Sequence, residues 1–203
     1  MDKKQQIIVI HGGSTFDSPE AYSSSLDSFV VNLERLRYQR DWKETLQKAL
    51  GPSFDILLPR MPNNTNAQYA DWKKIFEKIM EKVDENVVLV GHSLGALFLT
   101  KYLSENFPSK KVKSVFLIAA PFDDTSKESL GSFAIDVSKV GNIQEKVSSI
   151  FLYFSKDDPV VSFSEADKYA QKLPQATLRT LDDRGHFRQE QFPELVRDLQ
   201  NLS

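Results

Sequence analysis

The sequence predicts an α/β protein: a three-layer α/β/α sandwich on a doubly wound, mainly parallel sheet of about six strands. Three observations lead there. Short β-branched runs recur at Ile7–Ile10, Phe54–Leu58, Asn86–Val90, Ser114–Ala119, Ser149–Phe154 and Ala176–Leu181. Most are apolar on both faces rather than alternating, the pattern of strands buried between two helical layers. Stretches of helical period lie between them, and regular alternation of strand and helix imposes right-handed crossovers. A chain of 203 residues is a single-domain length, so residues 1–203 read as one domain with one core.

Each element has its own signal. Met1 to Gln6 is polar, and the apolar run that follows is too short for a signal-peptide core or a membrane span, so the expectation is a soluble, cytoplasmic chain. Residues 14–41 then delay the helix expected at Trp42–Leu50. Their middle is not loop-like, because Leu26, Phe29, Val30, Leu33 and Leu36 recur at helical spacing. After the second strand, Trp72, Ile75, Phe76, Ile79 and Val83 form an amphipathic stripe. Leu94 to Asn106 is more apolar all round and predicts a central buried helix. A polar excursion at 122–144, carrying Asp123, Asp124 and Ser126, precedes the fifth strand. Ser162–Leu173 and Phe192–Leu202 supply the last two helices. Both excursions follow the carboxyl ends of strands, where ligands bind in such sheets, which makes 14–41 and 122–144 possible small cap elements.

Composition removes several classes of function. Lys plus Arg is 26 and Asp plus Glu is 28, a formal net charge of −2, with no basic block to bind nucleic acid or an anionic membrane. Cysteine is absent, which removes disulfides, Cys-ligated metals and thiol nucleophiles. The three histidines each touch a glycine, as His11-Gly12, Gly91-His92 and Gly185-His186. The loop Gly12-Gly13-Ser14-Thr15-Phe16-Asp17 fails the G-x-G-x-x-G fingerprint of a dinucleotide site, and no carboxylate–histidine spacing completes a metal ligand set. No cofactor and no metal are expected.

The middle histidine belongs to Gly91-His92-Ser93-Leu94-Gly95, a G-x-S-x-G pattern between a buried strand and a helix. On such a turn the serine is cramped, its neighbours two residues away must lack side chains, and the next N–H stands free at a helix N-terminus. Ser93 is the candidate nucleophile, and the Leu94 N–H a candidate oxyanion donor. A serine needs a base, and the base an orienting acid. His186, after the last strand, is the one histidine downstream of Ser93. Asp157 and Asp158 follow the fifth strand; Pro159 biases its predecessor toward extended geometry, which favours Asp158 and leaves Asp157 to the turn or the surface. Gly13, after strand one, is the choice for the second oxyanion donor, with Gly12 and Ser14 as neighbours able to take the role. Asp182 and Asp183 read as solvated loop acids. His11 and His92 read as flanking residues without a chemical duty.

Taken together, these motifs resemble the α/β-hydrolase superfamily. Within it the chain is similar to the small serine hydrolases related to retinoblastoma-binding protein nine and its bacterial relatives. The matching pieces are His11-Gly12-Gly13, Met61-Pro62 with Trp72, the G-x-S-x-G turn, Asp157-Asp158-Pro159, and Gly185-His186-Phe187 with Phe192 and Glu194-Leu195. The stretch from Ser14 to Asp41 is longer than this resemblance implies. The resemblance implies a minimal α/β-hydrolase fold, carboxylesterase-like activity, and Ser93, Asp158 and His186 as a triad. The expected partner is therefore a small-molecule ester, cleaved through an acyl-serine. A thioesterase or amidase with the same residues, and a binding protein on a hydrolase scaffold, are the alternatives. Neither nucleic acid nor membrane is expected as a partner, and no protein partner is indicated.

Overall fold

The computed structural model describes residues 3–123 and 129–202; Asp124 and Ser126 of the second excursion lie outside them. Six strands form one sheet: β1 (Gln5–Ile10), β2 (Phe54–Leu57), β3 (Val87–His92), β4 (Val112–Ile118), β5 (Val147–Ser155) and β6 (Thr177–Leu181). Their order is β2-β1-β3-β4-β5-β6, and every neighbouring pair is parallel. From β1 the chain steps outward to β2 and then crosses back to β3. The junction of β1 and β3 is thus the switch point, where a crevice opens at the strands' carboxyl ends.

Side-chain alternation divides the core into two layers. Ile8 and Ile10 of β1, with Leu89 of β3 and Leu117 of β4, pack against α4 (Tyr69–Met80), α5 (Leu94–Glu105) and α6 (Glu165–Lys172). Ile7 and Val9, with Val90, Phe116 and Ile118, face α3 (Trp42–Leu50) and α7 (Pro193–Gln200) instead. The central strands are buried on both faces, as their apolar runs require. The outer strands β2 and β6 are only half-buried, because each has a neighbour on one side alone.

Helix boundaries follow local chemistry. Asp41 caps α3 by accepting the Lys43 N–H at 2.8 Å, and Gly51 ends it at φ 83°, a left-handed conformation suited to glycine. Trp42, Leu46 and Leu50 then form one buried face. In α4 the buried face is Trp72, Phe76 and Met80, so the amphipathic stripe is centred one residue away from Ile75, which lies at the solvent rim. Helix α5 is buried nearly throughout, which explains its lack of a polar face. Among the described residues, no helix is long and apolar enough to cross a membrane.

The excursion at 14–41 differs from a continuous helical reading. It contains α1 (Pro19–Asp27) and a single turn, α2 (Leu33–Leu36), with Phe29 and Val30 in the non-helical chain between them. Ser18 caps α1, and the Ser28 N–H closes it on the Ser24 carbonyl at 3.0 Å. Leu26, Phe29, Val30, Leu33 and Leu36 are 57–84% exposed. Helical spacing without a core to cover does not sustain a short helix in water. The excursion at 122–144 instead contributes Leu130, Phe133, Val140 and Ile143 to the core cluster that contains α5.

Candidate functional site

Strand β3 ends in a sharp turn at Ser93, whose φ of 54° and ψ of −122° are unusual for a residue with a side chain. Its N–H donates to the Ile118 carbonyl at 2.8 Å, and its own carbonyl accepts from Ala96 and Leu97 to begin α5. The flanking glycines are sterically required. A Cβ on Gly91 would stand 2.6 Å from Ala96 Cα, and one on Gly95 would stand 2.6 Å from the His11 carbonyl and nearer still to that of Ile10. Gly95 therefore lets the start of α5 press against the end of β1. The Leu94 N–H, in the first turn, has no intrahelical acceptor and sits at the positive end of the helix.

The loop after β1 lies against this turn: a Cβ on Gly12 would come within 3.2 Å of Ser93 Cβ. Of the three amides considered as oxyanion donors, that of Ser14 is committed, donating to the Asn64 carbonyl at 2.8 Å. Gly13 packs so closely on Asn64 that a Cβ would meet the same carbonyl at 2.5 Å. His11 has a duty after all. Its Nε2 accepts the Met61 N–H at 2.9 Å, so the neutral ring carries its proton on Nδ1, which donates to the Gly12 carbonyl at 2.6 Å. The ring thereby ties the glycine loop to the segment after β2.

Asp158 and His186 meet directly. His186 Nδ1 donates to Asp158 Oδ2 at 2.9 Å and stands 3.1 Å from Oδ1, with side chains only 6% and 2% exposed for His186 and Asp158. Asp158 Oδ1 also accepts from the N–H groups of Val160 at 2.8 Å and Val161 at 3.1 Å, which stabilise its charge. Asp157 points to a different task. It accepts from Ser155 Oγ at 2.5 Å and from the Gly185 N–H at 2.8 Å, bonds that lower its pKa. Ser155 Oγ in turn accepts the Arg184 N–H at 2.9 Å, so this aspartate clamps the loop that carries His186. Asp182 and Asp183 are exposed.

That loop is contorted, with Gly185 at φ 48° and Phe187 at φ 52°. Two side chains from the β3 and α3 side hold it. His92 Nε2 donates to the His186 carbonyl, and Trp42 Nε1 to the Phe187 carbonyl, both at 2.9 Å. Local spacing reads His92 as a flanking residue, because its partner is 94 positions away. Burial, reinforced by the nearby charge of Lys43, holds the His92 pKa well below its ordinary 6.5. The unfolded chain therefore takes up a proton near pH 6.5 that the folded chain excludes. Stability from this group is full above that pH and is lost as the pH falls below it, by up to about tenfold in the folding equilibrium per pH unit. His92→Gln, which retains a donor for the His186 carbonyl, is expected to flatten this slope. Urea midpoints of both proteins between pH 7.5 and 5.0 check it; parallel slopes would show that His92 does not titrate in this way.

Ser93, His186, Gly12 and Gly13 line one cavity of about 380 Å³, together with Asp41, Lys43, Asn64 and Arg188. No hydrogen bond joins Ser93 Oγ to the His186 ring among the described residues, and the two residues line the same cavity. Ser93 also lines a narrow apolar slot, together with Leu94, Leu97, Pro121, Leu130 and Val161.

An all-parallel sheet with helices on both faces, and a strained serine between the third strand and a buried helix, define the α/β-hydrolase fold. The ydeN gene product of Bacillus subtilis shares this fold, with a TM-score of 0.73, 21% identity and 98% of both chains covered. A meta-cleavage product hydrolase from Pseudomonas fluorescens also matches, with a TM-score of 0.70 and 15% identity over 98% of this chain and 90% of that one. The family model for serine hydrolases matches residues 35–197, and the chain belongs to that family. It is 27% identical to the serine hydrolase RBBP9 of Rattus norvegicus over 165 residues, 79% of this chain and 86% of that relative. The family supports hydrolase activity.

Proposed function

We propose that this hydrolase cleaves carboxylic esters with small acyl groups through an acyl-serine intermediate, using Ser93, His186 and Asp158. The observation that carries this reading is the 2.9 Å Asp158–His186 contact at the cavity that Ser93 also lines. His186 Nε2 removes the Ser93 proton as Oγ attacks the carbonyl, and the N–H groups of Leu94 and Gly13 receive the oxyanion. Collapse breaks the ester C–O bond, His186 returns the proton to the departing alcohol, and an acyl-serine remains. His186 then activates water, which releases the acid. Asp158 holds the imidazole with its proton on Nδ1 and stabilises the charged ring. No cofactor enters these steps.

The apolar slot supports a short acyl group. Its cavity volume of about 10 Å³ admits little more than one water, which favours a short acyl group over an extended alkyl chain. The absence of cysteine fits a reducing compartment, and the cytoplasm is the proposed location.

Labelling with a fluorophosphonate and turnover of 4-nitrophenyl esters from acetate to octanoate test the reading. The acetate or propionate is expected to exceed the octanoate at least about tenfold in kcat/KM. No labelling and no turnover would sink the ester-hydrolase proposal, and preference for octanoate would remove the small acyl group.

A further inference from the structure

Ser93 stands between two unlike surfaces. The slot on one side is apolar and narrow. The cavity of about 380 Å³ on the other is mainly polar, lined by His11, Asp41, Lys43, Asn64, His186 and Arg188 among others. An ester placed across Ser93 must send its acyl part to one side and its alcohol part to the other. The position of His186 decides which.

The general acid must reach the departing oxygen when the tetrahedral intermediate collapses, within hydrogen-bond reach of about 2.6–3.2 Å. His186 lines the polar cavity and does not line the apolar slot, whereas Leu94 lines the slot alone and Gly13 lines both. The alcohol part therefore lies in the polar cavity, and the acyl part in the slot. This orientation rests on the proposed roles of Ser93 and His186.

The charges of the polar wall then select the alcohol. Lys43 and Asp41 neutralise one another, with Lys43 Nζ 2.6 Å from Asp41 Oδ2 and 4.8 Å above the Trp42 ring. Arg188 is exposed and forms no ion pair among the described residues. Its guanidinium is an uncommitted, permanent charge with a planar array of donors that matches a carboxylate or phosphate. The cavity thus presents one net cation beside the place where the leaving group must sit. We infer that the substrates are short-chain esters whose alcohol part carries an anionic group, with Arg188 as the residue that recognises it.

Two matched acetates test this: 4-acetoxybenzoate, with a carboxylate on the leaving group, and its neutral methyl ester. The methyl ester has the better leaving group, so intrinsic reactivity works against the expected outcome. The unmutated protein is expected to favour 4-acetoxybenzoate about tenfold in kcat/KM, the effect of one partly exposed charge-assisted contact. The preference should shrink as salt rises. Arg188→Gln should bring the ratio close to one, and Arg188→Lys should restore part of it. Fluorophosphonate labelling of Ser93 is run in parallel. A ratio of one or below in the unmutated protein, or one unmoved by Arg188→Gln, would overturn the assignment of Arg188 while leaving the ester reading intact. Labelling of Ser93 without turnover of either acetate would overturn the substrate class alone. Neither labelling nor turnover would remove the ester reading and this inference with it.

Discussion

Ser93→Ala is expected to abolish fluorophosphonate labelling and lower kcat on 4-nitrophenyl acetate by about 10⁴–10⁶. The magnitude follows from the proposed mechanism: without Oγ no acyl-enzyme forms, and what remains is catalysis by the oxyanion donors and binding alone. The expected effect on stability is small. Ser93 Oγ forms no hydrogen bond among the described residues, so its removal leaves no buried partner unsatisfied. Alanine also meets the φ of 54° on much the same terms as serine, since both carry a Cβ. A Tm within about 2 °C of the unmutated protein, alongside the loss of turnover, would separate chemistry from folding. Turnover within tenfold of the unmutated protein would mean that Ser93 is not the nucleophile.

The neighbouring aspartates are expected to part company. Asp158→Asn should lower kcat by about 10⁴, because an amide facing Nδ1 favours the wrong imidazole tautomer and leaves Nε2 protonated, unable to accept from serine. It also removes the negative charge that Val160 and Val161 support. Asp157→Asn should cost less than about tenfold. An asparagine Oδ1 still accepts from Ser155 Oγ and the Gly185 N–H, so the clamp on the loop survives. Parallel kcat measurements on the two variants check this, and equal losses would undo the division of labour. The two carboxylates are adjacent in sequence, yet only one touches the imidazole.

Much of the fold was legible because the signals that specify it are local. Six β-branched runs became six parallel strands, and α3 spans Trp42–Leu50, the residues whose spacing predicts it. Where the apolar spacing had no core to meet, at Phe29 and Val30, the helix broke; periodicity reports a face but not whether anything covers it. Asymmetry of environment also escaped the strand patterns, since β2 and β6 become half-buried only by standing at the edges.

At the candidate site the division is sharper. Ser93 between its glycines, a single downstream histidine and an acid ahead of a proline could be read from residue types and their order. Each such motif answers to the geometry of its own turn. The partnerships that hold those turns in place could not be read. Met61 donates to His11 across 50 positions, His92 to His186 across 94, and Trp42 to Phe187 across 145. A hydrogen bond has no sequence period, and its donors and acceptors include backbone groups that nearly every residue carries. The sequence by itself determined the order of the motifs along the chain and which residue types could do the chemistry. The tertiary structure alone decided that Asp157 clamps the loop carrying His186, that His11 and His92 secure the flanking loops, and that Arg188, without an ion pair among the described residues, lines the cavity that Ser93 also lines, because those arrangements exist only once distant strand ends converge on one crevice.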